Sequence, residues 1–200
     1  MPKPAFIVDG HLEFSILQAI CKDSPLRRLN TNGDSVVVSK MAEKAAPVIR
    51  LLGNRYYPVY IVSDREDREE SCEAMEAQYL SELKLRGIDI TQIKIVFCDR
   101  MIENWIIADV EMIRGEYGDC VSAGETEGCD GKTKLRQIMS GAQERYSETV
   151  HGLRLFKRCN PARIAENSPS FRKLVLALED RCEWLARHGV FCASLVDRQA

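Results

Sequence analysis

Short apolar runs alternate with amphipathic stretches through the first half of the chain. Residues 5 to 9 read as a strand, and Leu12, Ile16, Leu17 and Ile20 follow at helical spacing, giving strand, tight turn at Gly10, helix. Val36 to Val38 form a second short β-branched run. Ser39 is a fair helix cap, and Met41, Ala45, Val48, Ile49 and Leu52 draw a stripe that ends at Gly53, with Pro47 as a kink. Pro58 to Ser63 is predicted as the third strand. From Ser71 to Arg86 one apolar face carries Cys72, Met75, Tyr79, Leu80 and Leu83, and Gly87 closes that helix before a fourth strand at Ile93 to Cys98. Strands separated by amphipathic helices predict an α/β fold: a mainly parallel sheet with right-handed crossovers, covered by helices.

The pattern changes after residue 115. Gly115 to Gly131 is rich in glycine and acids without a clear period, and is predicted as a long loop. Helix resumes over Lys132 to Met139. A last long helix is predicted from Ser168 as cap and Pro169 as first residue, with Phe171, Leu174, Val175, Leu178, Cys182 and Leu185 as its stripe and Gly189 as its end. The expected organisation is an α/β core over 1–114, an acidic loop over 115–131, and a helical C-terminal part over 132–200 packed on the core.

Composition narrows this picture. A 45% hydrophobic content over 200 residues is ample for a packed interior. With 28 basic and 30 acidic residues the formal charge is -2, which excludes a generally basic nucleic-acid binder and leaves only a regional contact. The eight cysteines include no CxxC pair, so reduced thiols in a cytoplasmic interior are expected rather than a zinc site. No apolar stretch approaches a membrane span or a signal-peptide core.

The candidate chemistry lies where two predicted strands end in acids. Asp9 with Glu13 follows the first strand, and Asp64 with Glu66 and Asp67 follows the third. In an open α/β sheet, ligands bind outside the carboxyl ends of the strands, so these acids can converge on a hard divalent cation such as Mg²⁺ or Mn²⁺, with phosphoryl or phosphodiester transfer as the accompanying chemistry. The bland alternative makes Asp9 a helix cap and Glu13 a solvated first-turn acid. Glu69 and Glu70 read as a solvated charged loop. In "IENWIIAD", Glu103 is a further candidate ligand, whereas Asp109 on an apolar helix side reads as a buried acid satisfied by backbone or arginine donors.

Other patterns carry less. "GKT" at Gly131 to Thr133 lacks the upstream glycine and leading strand of a phosphate loop. Three histidines give little material for a hydrolytic triad, and His11 reads as an exposed turn residue or a proton shuttle. The densest basic stretch, 154 to 173, includes Arg154, Lys157, Arg158 and Arg163 and is either a phosphate-binding face or a solvated one. Glu116, Asp119, Glu125, Glu127 and Asp130 make the 115–131 segment acidic, so it suits a basic protein partner better than nucleic acid.

Together "FIVDGHLE" and "IVSDRED" resemble the Toprim pattern of a strand ending in an acid and glycine, a second acid a few residues on, and a paired-acid motif after a later strand. With "IENWIIAD" and the late "SPSF", the chain looks like small stand-alone bacterial Toprim-like proteins related to the nuclease part of overcoming-lysogenization-defect proteins. That resemblance covers nearly the whole chain. It implies a Rossmann-like fold, a metal-dependent nuclease or nuclease-like effector subunit, catalytic Asp9, Glu13, Asp64 and Glu66, and an ABC-type ATPase partner in anti-phage defence. Asp9 stands where the superfamily has Glu, and Glu66 where it has Asp. Two alternatives remain open: a noncatalytic Toprim-like subunit that binds an ATPase or nucleic acid, and a PIN- or NYN-like ribonuclease, whose opening motif "FIVDGHLE" also resembles. Oligomeric state is left open.

Overall fold

A computed structural model describes residues 3–31, 36–118, 126–179 and 181–191. The chain divides into two compact units, Met1–Phe97 and Cys98–Ala200. As expected from the pattern, it is an α/β protein with a four-stranded parallel sheet flanked by helices and a helical C-terminal part.

In the first unit the chain runs β1 (Lys3–Val8), α1 (His11–Ile20), β2 (Leu26–Arg28), α2 (Val38–Leu52), β3 (Tyr56–Asp64), α3 (Cys72–Leu85) and β4 (Ile93–Cys98). The sheet order is β2-β1-β3-β4, which puts β1 and β3 side by side at the centre. Their register pairs Ile7 with Ile61 and Val8 with Val62. One face of the sheet, with Ala5, Ile7, Val59, Ile61, Ile95 and Phe97, shares a core with Met41, Ala45 and Ile49 of α2 and with Met75, Tyr79 and Leu83 of α3. Side chains alternate along a strand, so Phe6 and Tyr60 belong to the other face, where their rings stack 5.0 Å apart and add about 0.5–1.5 kcal/mol to simple burial.

Capping follows the sequence at several places. Ser71 Oγ accepts from Ala74 N at the start of α3. At its end Gly87, at φ +72°, donates to Lys84 O while Ile88 N donates to Leu83 O, the paired bonds of a Schellman turn.

Two strand expectations change. Val36 to Val38 is not a strand, because Val36 and Val37 are irregular and Val38 already opens α2, with Val37 rather than Ser39 in the cap position. The second strand is instead Leu26–Arg28, three residues on the edge of the sheet beside β1. An edge strand this short, with Arg27 and Arg28 exposed, has no apolar alternation to display.

The second unit holds α4 (Glu103–Ala108), α5 (Val110–Tyr117), α6 (Gly131–Gly141), a π-helical turn at Glu148–Gly152, α7 (Leu153–Phe156), α8 (Pro161–Asn167), α9 (Pro169–Leu178) and α10 (Glu183–Arg187). Trp105, Phe156 and Phe171 form its aromatic centre, with Trp105 meeting Phe171 edge-on at 5.1 Å. Ser168 caps α9, as read from the sequence.

The single last helix becomes two. Glu179 adopts a left-handed conformation (φ 49°, ψ 49°) and ends α9, so Leu185 is buried from a separate short helix and Cys182 from its cap position. Both ends of the predicted loop belong to helices, and residues 119–125 between them lie outside the described residues. Gly115 to Tyr117 complete α5, and Asp130 caps α6 by accepting from Thr133 N at 2.8 Å. Asp119 and Glu125 lie outside the described residues.

Candidate functional site

The parallel order β2-β1-β3-β4 creates a crevice. The chain leaves β1 through α1 towards β2, and leaves β3 through α3 on the opposite face. The carboxyl ends of β1 and β3 therefore flank a topological switch point, the place where open α/β sheets bind ligands. Asp9 directly follows β1 and Asp64 is the last residue of β3, so both belong to this one edge, on adjacent strands.

Within that edge the pleat separates them. Asp9 continues the row of Ala5 and Ile7, and the register sets Ser63 beside it, whereas Asp64 continues the row of Tyr60 and Val62. Among the described residues no three His, Cys, Asp or Glu side chains gather as a metal-holding group.

Each acid has its own local setting. Asp9 is half-buried, and its Oδ1 accepts from Thr31 N at 2.7 Å, which ties the end of β1 to the segment after β2. Glu13, only 4% exposed, folds back so that its Oε1 accepts from Gly10 N at 3.2 Å. A Cβ on Gly10 would fall 2.4 Å from Glu13 Oε2, so glycine is what lets this carboxylate lie against the turn. Glu66 stands at φ +56°, a left-handed conformation that costs a non-glycine residue about 1–2 kcal/mol and that concentrates in functional loops. Its Oε2 lies 3.9 Å from Arg68 Nη1. Arg68 in turn donates to Asp64 O at 3.3 Å and to Val36 O at 2.8 Å, fastening the acidic loop to the residues before α2.

Sequence reading missed three buried hydroxyls: those of Thr31, whose backbone binds Asp9, of Ser63, the register neighbour of Asp9, and of Tyr79 in α3. Thr31 Oγ1, Ser63 Oγ and Tyr79 OH are buried with no hydrogen-bond partner among the described residues. Burial, and then the charge of Asp9, push the Tyr79 phenol well above the ordinary tyrosine range, so it stays a donor. A signal for Ser63 was present: it occupies a row whose other members, Val59 and Ile61, are core. Asp9 and Asp64, two carboxylates at one sheet edge, are the residues of this unit whose oxygen chemistry suits a hard cation such as Mg²⁺.

The remaining candidates belong to the second unit. Glu103 is 1% exposed, accepts from Tyr146 OH at 3.3 Å and lies 3.8 Å from Lys132 Nζ; burial holds its carboxyl above the usual range. Asp109 is satisfied in the way its sequence position suggested. Its oxygens accept from Arg163 Nε at 2.5 Å, Arg163 Nη2 at 3.0 Å, Asn160 N at 2.6 Å and Met112 N at 3.2 Å. Trp105 Nε1 donates to Ser170 Oγ at 2.8 Å, and Ser170 and Ser168 both donate to Glu127, whose carboxyl is raised by burial.

Of the basic stretch, Arg163 is committed to Asp109, Arg158 pairs with Glu116 at 2.5 Å, Arg154 lies 3.8 Å from Glu144, and Lys157 is exposed. Gly131 of "GKT" has a packing role, because a Cβ there would meet Asn104 Oδ1 at 2.2 Å, and Lys132 pairs with Glu148 at 2.9 Å. The six described cysteines, Cys21, Cys72, Cys98, Cys129, Cys159 and Cys182, are free thiols. No helix among the described residues is long and apolar enough to cross a membrane.

Comparison of the chain with protein-family models, with curated proteins and with solved structures finds no match.

Proposed function

We propose that the first unit carries a Mg²⁺- or Mn²⁺-dependent phosphodiesterase site of Toprim-like character that acts on nucleic acid. The observation that carries this reading is the placement of Asp9 and Asp64 at the carboxyl ends of the two adjacent central strands, at the switch point of the sheet. Asp9 and Asp64 are the residues that would hold the cation. When bound, the cation supplies charge neutralisation on the phosphate and a more acidic water.

The chain supplies position. Thr31 N fixes the Asp9 carboxylate, Arg68 fixes the Asp64–Arg68 loop, and Glu13 shapes the Gly10 turn through its backbone bond, so it supports the edge rather than reaching across it. Glu66, drawn towards Arg68, is an outer acid of the same loop. An ABC-type ATPase acting with this chain in anti-phage defence completes the proposal, and it rests on the sequence resemblance alone.

A second reading, a noncatalytic subunit that binds nucleic acid or an ATPase, is favoured by one observation: no three carboxylates gather in the described residues. Incubation of the chain with single- and double-stranded DNA and RNA, with Mg²⁺ or Mn²⁺ and with an ATPase encoded beside it, separates the two. Cleavage that Asp64→Asn abolishes supports the first reading. Cleavage that this variant retains in full moves the site elsewhere, and binding without cleavage supports the second.

A further inference from the structure

Two arginines of the second unit stand apart from their neighbours. Arg154, Arg158, Arg163, Arg181 and Arg187 each pair with a carboxylate. Arg136 and Arg145 are exposed and form no hydrogen bond or ion pair among the described residues. Both, with Lys132, line one cavity of about 380 Å³, whose other walls are Tyr146, Ser147 and Glu148. Local structure explains how they meet. Lys132 and Arg136 are four residues apart on α6 and so share a face. The chain then reverses: Gln143 takes a left-handed backbone (φ 61°), and Glu144 N donates to Met139 O at 2.8 Å. Two side-chain contacts pin the returning segment. Lys132 Nζ pairs with Glu148 at 2.9 Å, and Tyr146, 6% exposed, donates its hydroxyl to the buried Glu103 at 3.3 Å.

The lining thus holds three cations and one acid, and that acid is already paired with Lys132. Arginines on a flat surface are simply solvated, whereas a concavity lined by one sign of charge focuses its field on an incoming ion of the other sign. The volume falls in the range of small-ligand pockets, roughly 300–1,000 Å³, so there is room for an anion and part of the molecule that carries it. Guanidinium forks match phosphate oxygens, and a phosphomonoester, close to doubly charged at neutral pH, answers two arginines where a carboxylate answers one. Glu148 in the wall opposes a long polyanion laid across the opening, which favours a terminal phosphate over a continuous nucleic-acid backbone. We propose that this cavity binds the phosphate of a phosphomonoester, gripped by Arg136 and Arg145, with Lys132 as a third donor held in place by Glu148. The lysine of "GKT" thereby gains a phosphate-binding role without a phosphate loop: side chains make the grip, since Thr133 N is already given to Asp130. The inference uses residues of the second unit alone and does not rest on the metal-site reading.

The test is calorimetric titration of the full chain, in chelator and at low ionic strength, with inorganic phosphate, adenosine 5′-monophosphate, and two oligonucleotides of one sequence, 5′-phosphorylated and 5′-hydroxyl. Wild type is compared with the Arg136→Gln, Arg145→Gln double variant. Loss of two charge-assisted contacts should weaken binding by on the order of 100-fold, and Arg136→Lys, which keeps the charge without the fork, should lose less than Arg136→Gln. The urea midpoint of the double variant should equal that of wild type, because neither arginine has a protein partner to lose. Binding of phosphate or the mononucleotide would identify a small phosphorylated ligand, and preference for the phosphorylated strand over its hydroxyl twin a strand end; either, lost in the double variant, supports the site. No binding of any probe, binding that the double variant retains, equal affinity for the two strands with no response to phosphate or mononucleotide, or a lowered urea midpoint would overturn it.

Discussion

The two units differ in how they treat buried polarity. In the second, Asp109 is fully buried and accepts four hydrogen bonds, and Trp105, Ser168, Ser170 and Glu127 form a closed chain of donors and acceptors. There are exceptions: Asn104 Nδ2 is bonded to two carbonyls, but Asn104 Oδ1 and Tyr117 OH are buried with no hydrogen-bond partner among the described residues. In the first unit the buried hydroxyls of Thr31, Ser63 and Tyr79 have no hydrogen-bond partner among the described residues, and Glu66 takes a left-handed backbone. Satisfied buried polarity is architecture: it fixes one arrangement of helices. The first unit's exceptions include Thr31 and Ser63, next to Asp9 at the switch point of the parallel sheet.

The sharpest way to break this contrast is to remove a satisfied group. Asp109→Ala leaves Arg163 and the Asn160 and Met112 amides without their acceptor, and breaking a buried charged pair from one side costs about 3–5 kcal/mol. The Arg163 side chain is 33% exposed and recovers some hydration, so the lower end of that range is expected in urea unfolding. A loss under about 1 kcal/mol would show that Asp109 does not serve the fold in this way.

Gly131→Ala tests close approach in the same unit. The new Cβ would meet Asn104 Oδ1 at 2.2 Å and Asn104 N at 2.9 Å, so overpacking should destabilise by about 1–3 kcal/mol. A neutral result would mean that α4 and α6 can separate freely.

Stability should also depend on pH through Glu103 and Glu127. Burial raises both carboxyl groups above the ordinary value of 4.5, so the folded state favours their protonated forms. That contribution is fully present below the ordinary glutamate range and is lost as pH rises through the raised folded values. Urea unfolding across the acidic to neutral range should show this decline, and the Glu103→Gln, Glu127→Gln double variant should flatten it. An unchanged slope would place the pH dependence elsewhere.

The smallest effect is expected at Gly115, which lies inside α5 with no atom within 4 Å of the place a Cβ would take. There Gly115→Ala should stabilise by about 0.5–1 kcal/mol, the difference in helix propensity between the two residues. Destabilisation would show that the last turn of α5 is not helical in solution.

What was legible in the sequence follows the same division. Helices α1 to α3 announced themselves through apolar residues repeated at a helical period, and β1, β3 and β4 as short apolar runs buried on both faces. Asp9 and Asp64 were readable as strand-end acids. β2 was not, since three partly exposed residues carry no period, and Val36 to Val38 misled because a β-branched run resembles a strand wherever it occurs. The break at Glu179 was hidden, as a left-handed residue that is not glycine leaves no mark in the sequence. The relation of Ser63 and Thr31 to Asp9 depends on strand order, register and a bond across 22 residues, which no single segment contains.

The central claim is that the ends of β1 and β3 together hold a divalent cation. Its most direct test is a thermal-shift titration of wild type and the Asp9→Asn, Asp64→Asn double variant with Mg²⁺ and Mn²⁺. Binding to the native state alone stabilises by an amount that grows with ligand concentration, about 2.7 kcal/mol at a hundred times the dissociation constant. The expected result is a saturable rise in the wild-type melting temperature that the double variant lacks; equal shifts in both proteins, or none in wild type, would contradict the account.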